Sequence, residues 1–218
     1  MIFTTIDFIV FFVFILAAVA IIKHRKFQHL ILLGGSYYFF YFSSNYLIVL
    51  LIFTTILDFY LAKIIHDTED ALRKKLLLTI SLVGNLGLLG FFKYSDFAIL
   101  EFNILGNYLD LSTEIPFFNL ILPLGISFYT FQTLSYTIDV YRGTLKPSKT
   151  FSEFALFVAF FPQLVAGPIL RAKHFLPQLR EKIQNYETKG SLRQIIFQNN
   201  HLKFGITLMA FGFIKKMF

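Results

Sequence analysis

The chain has 218 residues, of which 56% are hydrophobic, 30 are Phe and only 15% are charged. That is too apolar for a soluble domain of this length and indicates an integral membrane protein. The absence of cysteine excludes disulfides, thiolate metal sites and a cysteine nucleophile. The net charge of +7 lies in loops between apolar blocks, where it orients the chain and meets membrane lipid, not nucleic acid.

The apolar residues come in blocks of roughly 17 to 25, long enough to cross a hydrocarbon core about 30 Å thick as helices. A barrel would alternate polar and apolar residues instead, so an all-α, polytopic fold is expected. Span one covers about 5–22 and is read as retained, since no basic stretch precedes it and no small-residue cleavage site follows. Span two (30–42) is short, "SSN" (43–45) makes a turn, and span three (46–62) runs into a charged stretch, 63–75. Span four (76–92) contains "GNLGLLG", whose Gly84, Gly87 and Gly90 form a smooth face for close helix approach. The segment 93–114, with Asp96, Glu101, Asp110 and Glu114 against Lys93, is expected to be an acidic loop. Span five (115–138), a polar link (139–150), a broken block (151–170), a polar stretch (171–203) and a partial apolar run (204–218) complete the chain. That last run stops without a cap or polar tail, so the chain is expected to be cut off there.

Residues 23–29, 63–75, 139–150 and 171–203 hold seventeen of the twenty Lys and Arg residues, and all four loops favour the cytoplasmic side. The first three obey simple alternation. The fourth does not, because only block 151–170 separates it from the third. That block contains "FFPQLVAGPIL", in which Pro162 removes a backbone donor and Gly167 with Pro168 supplies a corner. It is therefore predicted to enter and leave by one face, and a backbone broken at membrane depth needs protein cover or a wet cavity.

A second interruption begins "LPLGISFYTFQ", where Pro123 and Gly125 break the start of span five. Beyond it, Gln132, Tyr136 and Asp139 share a helical face with Tyr129 on its edge. Two readings stand for this polar stripe: it faces a pathway, or it hydrogen-bonds neighbouring helices. Asp139 and Arg142 are expected to pair at the cytoplasmic edge. Asp7 and Asp58 lie near span ends and are assigned no chemistry. The five histidines, His24, His29, His66, His174 and His201, fall in loops or at block edges, with no metal or nucleophile spacing, so none is a catalytic or metal-binding candidate.

The stretches "LPLGISFYTFQTLSYTIDVYRG" (122–143) and "FALFVAFFPQLVAGPILRAKHFLPQL" (154–179), with "NLGLLGFFKYSDF" (85–97) upstream, closely resemble the membrane-bound O-acyltransferases. The similarity is to the bacterial branch of the alginate O-acetylation and D-alanyl transfer proteins. It implies a bacterial cytoplasmic-membrane, multi-pass protein with re-entrant segments around a tunnel. It further implies transfer of an acyl group, acetyl foremost, from a cytoplasmic acetyl-CoA or other acyl thioester toward an exported polysaccharide such as alginate, with an extracytoplasmic partner protein completing the transfer. No bound cofactor is expected. Tyr129, Gln132, Tyr136, Asp139 and Gln163 are then the tunnel-lining candidates. Arg142, Arg171 and Lys173 are candidates for the mouth that attracts the anionic donor, or are plain positive-inside charges. Family members are longer, so the resemblance implies that residues 1–218 are the N-terminal part of one transmembrane domain; the family's essential histidine belongs to a later helix, so the chain alone is expected to be inactive. The rival classes are a transporter or flippase, whose expected internal repeat is not found, and a non-catalytic scaffold of an export complex.

Overall fold

The computed structural model describes residues 5–22, 24–109, 114–123, 125–164, 170–179, 203–205, 207–208, 210–212 and 215. All regular structure among them is helical: α1 (Ile6–Ile21), α2 (Arg25–Ser44), a 3-10 turn (Asn45–Leu47), α3 (Ile48–Asp67), α4 (Ala71–Tyr108), α5 (Ile126–Tyr141), α6 (Phe151–Ala159), α7 (Phe161–Leu164) and α8 (Ala172–Leu179). The protein is an all-α membrane protein. The continuous helical stretch Lys26–Asp67 and α4 are both long and apolar enough to cross a bilayer. The chain forms two compact units, one made of Ser36–Leu176 and the other of the remaining residues.

In the first 35 residues, the Thr5 side chain caps α1 by accepting from Phe8 N at 3.4 Å. Phe8, Phe11, Ile15 and Val19 form its buried stripe at helical spacing. A Cβ on Gly35 of α2 would come within 2.7 Å of Ile15 Cδ1, so glycine lets the two helices approach there. Gln28 closes the hairpin by donating to Val19 O (3.0 Å) and Ile22 O (2.6 Å).

In the unit 36–176, helices α3, α4, α5 and α6 share one core that includes Leu51, Phe59, Leu89, Tyr136, Phe154 and Phe157. Several expectations change here. Span two is not short: α2 has 20 residues, reaching back through the basic stretch to Arg25. Its end does coincide with the expected turn, where Asn45 takes φ 52°. α4 has 38 residues, about 57 Å at 1.5 Å per residue, well beyond a 30 Å core. It runs on through the expected acidic loop to Tyr108, with Asp96 and Glu101 on it. Conversely, span five is not helical from 115: residues 114–123 are irregular, and α5 starts at Ile126. Pro116 and Pro123 make those residues unsuitable for a helix interior. Three of their backbone groups are held by α4 side chains. Asn103 exchanges two 2.9 Å hydrogen bonds with Ile115, and Asp96 accepts from Phe118 N at 2.8 Å, so the segment runs antiparallel along α4.

Of the glycine face on α4, only Gly84 is tightly packed, with Leu57 Cδ2 at 2.9 Å from an added Cβ. Gly87 and Gly90 have nothing within 4 Å and serve no close packing.

The broken block divides at Phe160 into α6, of nine residues, and α7, of four. α6 is about 14 Å long, half of a hydrocarbon core, and Glu153 to Ala159 are all buried in protein. Its start is fixed by Thr150, whose hydroxyl accepts from Glu153 N (3.3 Å), while the Glu153 carboxylate reaches back to Lys149 N (3.2 Å). Pro162 occupies the first turn of α7, where a missing N–H is tolerated. Gly167 and Pro168 lie outside the described residues.

Candidate functional site

α5 carries two adjacent polar stripes. Tyr129, Gln132 and Tyr136 form one; Thr130, Thr133 and Thr137 form the next, displaced by one residue and so by about 100° around the axis. All six are buried.

The first stripe meets the broken block. Gln132, 1% exposed, donates from Nε2 to Phe157 O at 2.6 Å and accepts on Oε1 from Gln163 Nε2 at 3.0 Å. Phe157 lies near the end of α6 and Gln163 in α7, so one amide spans the break. The two interruptions also touch: Gly125, at φ 69°, begins α5, and a Cβ there would lie 2.9 Å from Leu164 O. Only glycine satisfies both the backbone angle and the space. α2 contributes Ser36, whose Oγ accepts from Phe161 N (3.4 Å), and Phe40, whose ring lies 6.0 Å from that of Tyr129.

Several polar atoms in this region are buried with no hydrogen-bond partner: the Tyr37 and Tyr129 hydroxyls and Gln163 Oε1. Gln163 is 5% exposed and Tyr129 1%. They offer two donors and an acceptor that protein groups leave unused, as expected where water or a polar ligand group enters. Tyr136 is differently employed. Its hydroxyl accepts from Ser148 N at 2.9 Å and its ring lies 4.3 Å from that of Phe154, which secures the link leading into α6.

Asp139 is half-buried and does not pair with Arg142, which is exposed; its Oδ2 has no partner. Its backbone carbonyl instead accepts from Thr144 N (3.0 Å) and Leu145 N (3.2 Å), terminating α5. Arg171 and Lys173 are exposed at the start of α8. Of the histidines, His24, His66 and His174 are exposed and His201 lies outside the described residues. His29 is buried within α2, not in a loop as expected. Among the described residues no group of three or more His, Asp or Glu side chains is placed to hold a metal ion.

The second stripe meets a carboxylate that sequence reasoning passed over. Asp58 is not near a span end: α3 continues to Asp67, which puts Asp58 at its middle with 0% exposure. Ser81 Oγ donates to its Oδ1 at 2.5 Å, Thr137 Oγ1 to the same oxygen at 3.2 Å, and Asn85 Nδ2 to Oδ2 at 2.8 Å. Asn85 Oδ1 in turn lies 3.3 Å from Thr133 Oγ1, whose one proton it shares with Thr130 O at 3.0 Å. α3, α4 and α5 are joined through one side chain. The signal was present in the sequence: Ser81 with Asn85, and Thr133 with Thr137, are polar pairs at i,i+4 spacing inside apolar runs.

Comparison with known proteins gives three informative relatives. A protein of Helicobacter pylori named "Peptidoglycan O-acetyltransferase" is 31% identical over 186 residues, covering 74% of this chain and 32% of its own length. Proteins of Azotobacter vinelandii and Pseudomonas aeruginosa, each named "Probable alginate O-acetylase AlgI", are 36% identical over 143 residues, 65% of this chain and 26% and 24% of theirs. The chain thus spans about a quarter to a third of the length of the curated relatives it matches. No family model and no solved structure matches it.

Proposed function

We infer, from the chain's kinship with the membrane-bound O-acyltransferases of the alginate O-acetylation branch, that it serves transfer of an acyl group to a cell-envelope polysaccharide. The group is acetyl, drawn from a CoA thioester on the cytoplasmic side, and an extracytoplasmic partner protein completes its delivery. The relatives' names cover two acceptors, alginate and peptidoglycan, and the shared chemistry is a sugar hydroxyl.

The observation that carries this reading is the seam where the two interrupted segments meet. Gln132 and Gln163 bridge the break between α6 and α7, with the unpaired Tyr129 hydroxyl and Gln163 Oε1 beside them. A helix-only scaffold has no need of unpaired polar atoms at such depth, whereas a path for a polar acyl donor uses them. In this reading the block 151–170 enters and leaves by the cytoplasmic face, and Arg142, Arg171 and Lys173 draw the anionic donor to the entrance. The chemical step is attack of the acceptor hydroxyl oxygen on the thioester carbonyl. The C–S bond breaks, CoA leaves as its thiolate and is protonated to the free thiol, and the hydroxyl proton passes to a base, which we assign to none of the five histidines of this chain. The test is the ester-linked acetyl content of envelope polysaccharide in cells with and without the gene. Loss of acetyl esters on deletion is expected; unchanged esters would overturn the assignment.

A further inference from the structure

Asp58 touches neither Gln132 nor Gln163, yet its partners sit beside them on α5. We propose that Asp58 is a positioning residue, which fixes the rotation of α5 about its own axis and thereby holds the Gln132 amide across the break between α6 and α7. Its relevance to acyl transfer rests on the function proposed above; the rotational clamp itself does not.

Thr133 directly follows Gln132, and Thr137 directly follows Tyr136. Any rotation of α5 that withdraws Gln132 from Phe157 O and Gln163 must also break Thr137 to Asp58 and Thr133 to Asn85. An aspartate side chain suits this task because both of its oxygens can accept hydrogen bonds, so that one short side chain reaches two helices. Here one oxygen serves α4 and α5 together, through Ser81 and Thr137, while the other holds Asn85, which carries the link on to Thr133. Apolar side chains at these positions would hold three helices together with a smaller desolvation penalty, but would leave α5 free to turn. The buried polar side chain therefore accounts for orientation better than for adhesion.

The cysteine-free sequence allows a direct test. Nitroxide labels are placed on cysteines introduced at the exposed positions Phe131 on α5 and Val83 on α4, in the intact protein in lipid nanodiscs, and their separation is measured by pulsed electron resonance. With side chains about 5–6 Å from the axis, a 30° turn displaces a label by about 3 Å. Thr137→Val, which keeps the side-chain shape, and Asp58→Leu are expected to shift or broaden the distance distribution by that amount. Asp58→Asn, whose amide can pair with hydroxyls that donate or accept, is expected to restore it. Melting temperature is read on the same samples. A lower melting temperature with an unchanged distance in Thr137→Val would show adhesion alone and overturn the proposal. Because the readout needs no acyl transfer, it fails or stands independently of the enzymatic reading.

Discussion

Ser81 on α4 and Asp58 on α3 meet at 2.5 Å between hydroxyl and carboxylate oxygens, with both side chains fully buried. A buried hydrogen bond of this kind contributes about 1–3 kcal/mol, because its loss leaves a buried polar atom without a partner. Ser81→Ala is expected to lower unfolding free energy by that amount, measured by thermal or denaturant melting in detergent. Asp58→Leu takes the acceptor from Ser81 Oγ, while Asn85 and Thr137 keep the backbone acceptors Ser81 O (2.9 Å) and Thr133 O (3.3 Å), and is expected to cost about 1–3 kcal/mol.

Gly125 and Gly87 give a matched pair. Gly125 adopts φ 69° with Leu164 O at 2.9 Å from an added Cβ, whereas Gly87 lies inside α4 with open space around it. Gly125→Ala is expected to destabilise by about 1–3 kcal/mol and to disturb the junction of the two interrupted segments. Gly87→Ala is expected to be neutral or to stabilise by up to about 1 kcal/mol. Melting of the two variants side by side checks both.

The Gln132 and Gln163 pair supplies the functional prediction. Gln163→Ala removes the bridge to Gln132 and the unpaired Oε1 together. Acetylation of the envelope polysaccharide is expected to fall about tenfold, while the amount of inserted protein is unchanged. Wild-type acetylation in that variant would remove Gln163 from the path.

The polar stripe of α5 was legible because its residues recur at the helical period within an apolar run, and the break at 160–164 was legible from Pro162. The Asp58 network was not. Asp58 lies 23 to 79 residues from its partners on α4 and α5, and sequence spacing reveals the pairs within each of those helices, not the pairing between helices. Placing the end of span three at 62 also moved Asp58 from the centre of a helix to its edge. The extended segment 114–123 was misread for a related reason: it is as apolar as a span, and hydropathy does not separate an irregular stretch held by Asn103 and Asp96 from a helix. Thr150 and Glu153 were an overlooked start signal for α6, since Thr-x-x-Glu before an apolar run marks a helix N-terminus.

The central claim is that the chain around α6 and α7 dips into the membrane and returns, so that the links on either side share the cytoplasmic face. Single cysteines replacing Lys149 and Gln184, on the cysteine-free background, are treated with a membrane-impermeant thiol reagent in intact spheroplasts and again after permeabilisation. Labelling of both positions only after permeabilisation is predicted; labelling of position 184 in intact spheroplasts would contradict the account.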